Sequence, residues 1–124
     1  MRKIISILIF LNLYIFLNSE TLALKGYLID NLCRDFMIKK FGIKGNLKFV
    51  KNHKKECCLL PQCIKSGFSF YTINGEIFDI AEESKDLIIE YLKIKENNTK
   101  VIIEGEIINK KLKVIKILKC KKGE

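Results

Sequence analysis

Phe68-Ser69-Phe70-Tyr71-Thr72-Ile73 runs into Asn74-Gly75 and then into Glu76-Ile77-Phe78-Asp79-Ile80. Two aromatic and β-branched runs on either side of Asn-Gly are the strongest short hairpin signal, because a type I′ turn needs positive φ at both central residues. This hairpin is the anchor for the rest of the chain. Toward the C-terminus, Ser84 can cap a helix running to about Lys93. Leu87, Ile88, Tyr91 and Leu92 fall on one face of it at helical spacing, a core-facing stripe. Glu96 to Lys100 reads as a polar turn, and the Asn97-Asn98-Thr99 sequon inside it is better explained as part of that turn. Two strands follow, Lys100–Ile108 and Lys111–Lys119, joined tightly at Asn109-Lys110. The apolar parity of the last strand shifts between Val114 and Ile115, which points to a bulge or to burial on both sides.

Toward the N-terminus, Leu24 to Leu32 is strand-like, with Gly26 where a bend or a close backbone approach is expected. Residues 34–52 lack clean periodicity and read as irregular, with a short helix near Asp35–Lys40. His53 to Leu60 looks helical, and Pro61 should end or kink that helix. The order is strand, partly helical insert, hairpin, helix, hairpin. It predicts a mainly β, β-rich α+β domain: a five-stranded OB-like barrel. One helix lies between strands three and four, and a partly helical Cys/His insert lies between strands one and two. A ferredoxin-like sandwich would need a second convincing helix outside the insert.

Arg2 and Lys3 precede an apolar run from Ile4 to Leu17, broken only by Ser6 and Asn12. That is the pattern of a secretory signal peptide, and it is short of the roughly 20 residues a membrane span needs. Residues 1–23 are therefore expected to serve export, with cleavage after Ala23 or after Ser19, and residues 24–124 to form one periplasmic or secreted domain. No second apolar run beyond the leader is long enough to span a membrane.

The chain has 124 residues and a formal net charge of +9. The leader accounts for little of that charge. A basic barrel invites nucleic acid, but Arg34 is the only arginine after Arg2, so forked recognition of phosphates and bases is nearly absent. Dispersed lysines with predicted export argue instead for a solvated surface or an envelope polyanion. Phe68, Phe70 and Tyr71 are candidates for a ligand-stacking strand face, set against ordinary core packing.

Five cysteines and a single histidine carry the candidate chemistry: Cys33, Cys57, Cys58, Cys63, Cys120 and His53. On a helix, His53 and Cys57 share a face, Cys63 follows just past Pro61, and Cys33 ends the first strand. Cys33, His53, Cys57 and Cys63 could converge as a tetrahedral zinc set, or hold Cu(I) through soft sulfur. Asp30 could orient the His53 ring, as carboxylates beside metal-bound histidines do, or could simply bond locally at the strand end. Oxidising export compartments favour disulfides instead. A Cys33 bridge to Cys57 or Cys63 would be worth roughly 3–4 kcal/mol in the chain-entropy model, though an odd count leaves one thiol over. Thiol-redox or nucleophilic chemistry is a third reading, but no oxyanion hole or third orienting group accompanies the Cys–His pair.

Gly26-Tyr27-Leu28-Ile29-Asp30 with Cys33, then His53-x3-Cys57-x5-Cys63-x2-Ser66-Gly67-Phe68, and finally Phe78-Asp79, form one constellation. It resembles a group of small, signal-peptide-bearing bacterial proteins of largely unassigned function. The resemblance spans nearly the whole chain after the leader. It implies that Cys33, His53, Cys57 and Cys63 belong together and that Cys58 and Cys120 are extras. It supplies no activity. The expectation is an exported, non-enzymatic binding protein holding zinc or copper. The alternatives are a disulfide-stapled module binding a small ligand or polyanion, and then a thiol-redox protein.

Overall fold

A computed structural model describes residues 21–45 and 47–121. Five strands form a mixed sheet closed into a ring: β1 (Leu22–Asp30), β2 (Phe68–Thr72), β3 (Ile77–Ile80), β4 (Lys100–Ile108) and β5 (Lys111–Lys119). The hydrogen-bonded order is β1-β2-β3-β5-β4, and β4 returns to β1. All pairings are antiparallel except the short β3–β5 contact, where Asp79 meets Lys111 and Ile80 meets Leu112.

The insert between β1 and β2 is helical: α1 (Asn31–Gly45), α2 (Leu47–Asn52), α3 (Lys55–Cys58) and α4 (Pro61–Ser66). A 3₁₀ turn at Glu82–Ser84 leads into α5 (Lys85–Lys93) between β3 and β4. Among the described residues no helix is long and apolar enough to cross a membrane.

The ring interior holds Leu28, Phe68, Phe70, Val101, Ile103, Leu112 and Val114, closed at one end by Ile88 and Leu92 of α5. A second cluster sits on the outer face of β1 and β2, where Tyr27, Ile29 and Tyr71 meet Met37 of α1 and Val50 of α2. Both faces of these two strands are therefore covered. That explains why the last five residues of β1 and all of β2 are buried. Each large side chain so buried contributes about 1.5–3 kcal/mol.

Several sequence expectations are corrected. Residues 34–52 are largely helical rather than irregular. Their apolar residues form no continuous stripe, and α1 breaks at Gly42, whose φ is 75°. Among the described residues Met37 and Val50 are the buried ones there, so docking against β1 and β2, not amphipathic periodicity, holds these helices. Pro61 starts α4 rather than ending a helix over His53–Leu60, because proline suits a first helical turn, where its missing N–H costs nothing. Phe68, Phe70 and Tyr71 lie in the two cores and present no open stacking face.

The positive-φ pair demanded by a two-residue hairpin occurs at Asn109 (52°) and Lys110 (65°) rather than at Asn74-Gly75, where only Gly75 has positive φ. The bulge lies where the parity shift placed it. Glu104 pairs with Lys116 and Gly105 with Val114, leaving Ile115 over. Ser84 leaves α5 uncapped, and its buried hydroxyl instead accepts the Val114 N–H at 2.9 Å. β1 already begins at Leu22, paired with Gly105, so the expected domain start at Leu24 falls inside the strand. The rest of the expected leader, residues 1–20, lies outside the described residues.

Gly26 is required by a close approach. A Cβ there would sit 1.9 Å from the Tyr71 carbonyl oxygen across the β1–β2 pair. Gly26→Ala is expected to destabilise the fold by about 3 kcal/mol. Gly75→Ala, with open space around it, should cost only about 1 kcal/mol through its positive φ. Urea denaturation of the two variants checks the ranking.

Candidate metal centre

Asp30 is the last residue of β1 and has no exposed surface. Its Oδ2 accepts the Cys33 backbone N–H at 2.9 Å, the bond by which a capping aspartate satisfies the first turn of a helix. The cap draws the Cys33 backbone to the carboxylate. Oδ1, the other oxygen, lies 3.4 Å from His53 Nε2. His53 sits in the short link between α2 and α3, and its Nδ1 is 3.6 Å from Cys58 Sγ.

Two groups that could hold a metal ion share Asp30. One is Asp30, Cys33 and Cys63; the other is Asp30, His53 and Cys58. Within each group the ligand atoms lie within 4.8 Å of one another. Cys58 and Cys63 are both buried. All five cysteines are free thiols, so no disulfide staples the insert.

Polar tethers hold these segments together. Asn31 at the start of α1 donates from Nδ2 to the Ser66 carbonyl at 3.0 Å, and its backbone N–H bonds the Gly67 carbonyl at 2.9 Å. The Ser66 hydroxyl accepts the Leu32 N–H at 3.1 Å and donates to the Cys63 carbonyl at 2.6 Å. The end of the Cys63 helix is thus fixed to the start of the Cys33 helix. Arg34, next to Cys33, reaches back to the strands. It pairs with Asp79 of β3 and donates to the buried Ser69 hydroxyl of β2 at 2.6 Å.

The electrostatics follow from burial. Desolvation, with the Asp30 charge and hydrogen bond adding to it, pushes the Cys33 thiol up from 9.0 to about 12. Desolvation and then the Asp30 charge raise the Cys58 thiol, against a hydrogen bond with the Asp30 backbone that lowers it, while desolvation and then the Asp30 hydrogen bond and charge raise Cys63. Burial lowers His53 below its ordinary value, opposed by the attraction of Asp30. Without a metal, then, the site at neutral pH carries protonated thiols and a neutral imidazole. Neither Asp30 Oδ1 nor His53 Nε2 has a hydrogen-bond partner. A proton on Nδ1, toward Cys58, leaves two lone pairs facing each other across the gap.

The structure brings Cys33, His53 and Cys63 of the sequence-predicted ligands around Asp30. Cys57 is half-buried and belongs to neither group of three. Cys58, set aside in the sequence, faces His53. The helix-face argument assumed one helix through His53 and Cys57, but α3 begins only at Lys55. The Cys57-Cys58 adjacency was the available signal, since neighbouring helical residues point apart and only one can face a given partner. Arg34, Asn31 and Ser69 were also missed as supports. Comparison with known protein families, curated proteins and solved structures finds no match.

Raised thiol values mean that the unfolded chain gives up these protons at lower pH than the folded chain. Their stabilisation is complete below about pH 9.0 and is lost as pH rises through the folded value near 12. His53 acts at the other end: its contribution is present above 6.5 and is lost as pH falls below that value. The urea midpoint of metal-free protein should therefore peak between these limits, and Cys33→Ser should flatten the alkaline limb.

Proposed function

We propose that this chain is an exported metal-binding protein in which an OB-like ring carries one buried zinc or copper ion on its helical insert. The observation that carries the reading is the facing pair Asp30 Oδ1 and His53 Nε2. These are two buried polar atoms, 3.4 Å apart and without hydrogen-bond partners, with cysteines close by. A cation there would satisfy both atoms. Cys33, His53, Cys58 and Cys63 would be the ligands, with Asp30 beside them as ligand or orienting partner. Three thiolates and an imidazole suit zinc in a closed, structural type of site, and they also suit Cu(I).

Free cysteines favour this reading over a disulfide-stapled module. Thiols raised by burial are poor nucleophiles, which argues against redox or covalent catalysis. The ring order and the helix between β3 and β4 support the OB-like assignment. The resemblance to small exported bacterial proteins points to Cys33, His53 and Cys63 as well, but to Cys57 where the geometry favours Cys58. Export with cleavage after Ser19 leaves β1 whole, whereas cleavage after Ala23 would remove Leu22 and Ala23 from their pairing with β4.

Metal binding must displace thiol protons, so affinity should rise with pH and proton release should accompany loading. Elemental analysis of anaerobically prepared protein should find about one metal per chain, and cobalt substitution should give sulfur-to-cobalt charge-transfer bands. Asp30→Asn should weaken binding about 10–100-fold. Cys58→Ser should weaken it more than Cys57→Ser, and Cys120→Ser should leave it unchanged. Protein that takes up neither zinc, Cu(I) nor cobalt at these thiols would overturn the reading.

A further inference from the structure

Among the described residues, every exposed aromatic ring lies on the helical insert: Phe36 (63% exposed), Phe49 (41%) and Phe41 (37%). They are gathered, not scattered. Phe41 and Phe49 stack with ring centroids 4.0 Å apart and planes 15° from parallel, which joins α1 to α2. The Lys40 ammonium lies 5.4 Å from the Phe41 centroid and 5.8 Å from that of Phe36, so it bridges the two rings. Leu32, one turn before Phe36, is exposed as well. Met37 and Val50 go inward onto β1 and β2, while their neighbours Phe36 and Phe49 stay out. The two helices therefore show apolar side chains on both sides, and the sheet covers only one.

The charge around these rings is of one sign. Residues 36–55 hold seven lysines and no aspartate or glutamate. Lys39, Lys40, Lys48 and Lys51 are exposed on α1 and α2, and none of them enters an ion pair among the described residues. Asp35, the one acid in the two helices, is held by Arg34 at 2.9 Å. The other exposed apolar region differs. The cleft of about 330 Å³ between α5 and β5, lined by Leu87, Tyr91, Ile94 and Ile115, carries Glu90 as well as Lys116 and so favours neither sign.

We propose that the outer face of α1 and α2 docks on an anionic lipid surface. Phe36, Phe41 and Phe49 enter the interface, and Lys39, Lys40, Lys48 and Lys51 meet the headgroups. Phenylalanine with lysine on one helix is the composition that lies in the plane of a bilayer interface, and Phe36 and Lys40, four residues apart, share a face. Entry of the rings removes apolar surface from water. Each lysine near an anionic surface raises partition by about fivefold. Lysine suits this role without arginine, because a charged surface attracts a point charge and requires no forked geometry. The Phe41–Phe49 stack is already formed, so little ordering is needed on contact. The face uses none of the proposed metal ligands, so the proposal does not rest on the metal reading.

The chain has no tryptophan, so a single introduced indole reports one position. Phe36→Trp keeps an aromatic ring on the face, and Leu87→Trp places one on α5 as the control. The full chain carrying either is titrated with vesicles of equimolar phosphatidylglycerol and phosphatidylcholine, and with phosphatidylcholine alone. Emission of Phe36→Trp should shift to the blue, and be quenched by brominated acyl chains, with the anionic vesicles only. Emission of Leu87→Trp should do neither. This local readout separates the face from the apolar run Ile4 to Leu17, which every variant shares. In the Phe36→Trp background, Lys39→Glu/Lys48→Glu should raise the lipid needed for half the shift by at least about tenfold. Lys113→Glu/Lys119→Glu, the same charge change on β5, should raise it less than about twofold. All four lysines are exposed, so thermal midpoints should stay near that of the parent. The proposal fails if Phe36→Trp shows no shift with anionic vesicles, if both reporters shift alike, or if the two charge reversals weaken binding equally. Lipid-free sedimentation showing a dimer that Phe36→Ser abolishes would make the face a contact between copies of the chain, and would overturn the proposal.

Discussion

Asp30 has no exposed surface, yet it is a carboxylate at the buried end of β1. Removing such a group from water is costly unless hydrogen bonds or opposite charge compensate. The Cys33 N–H satisfies one oxygen. The other faces an imidazole that burial itself holds toward the neutral form. Apolar packing maintains this arrangement. Met37 and Val50 dock on Tyr27, Ile29 and Tyr71, and in doing so they close the insert over the carboxylate. The local cost at Asp30 is thus offset by burial elsewhere, as is common where a fold keeps a site poised for a ligand.

The insert has almost no core of its own and depends on where its ends are tied. Ser66 and Gly67 bind the close of α4 to the opening of α1. Asp79 and Ser69 reach across from β3 and β2 to Arg34. Lys55 clasps the turn before β4. These contacts give a physical reason why Ser66-Gly67 and Phe78-Asp79 stand in one constellation with the cysteines. They set the distances between Cys33, Cys63 and the strand that carries Asp30.

Local signals were reliable where neighbouring residues decide the geometry. The hairpin over residues 68–80, the helix with Ile88 and Leu92 buried, the tight link at Asn109-Lys110 and the bulge at Ile115 were all legible. They failed where distant contacts overrule local preference. Asn74-Gly75 did not adopt the two-residue turn. The helices of residues 31–52 left no apolar stripe to read. Phe68 and Phe70 fill the ring interior, and Tyr71 on the opposite face is covered by the insert, so the face that the alternation alone would leave open is closed.

For the candidate site, the sequence by itself determined the inventory: one histidine, five cysteines, an aspartate three residues before the first of them, and the order of elements that sets the end of strand one beside the insert. Spacing along the chain cannot say which of two adjacent cysteines faces inward. That depends on where a helix begins, and α3 begins after His53, not before it. Only the tertiary structure chose Cys58 as the neighbour of His53 and buried Asp30 between two groups of donors. The physical reason is the same in each case. Burial and desolvation depend on residues distant in the chain, and they come into being only when the insert docks on the ring.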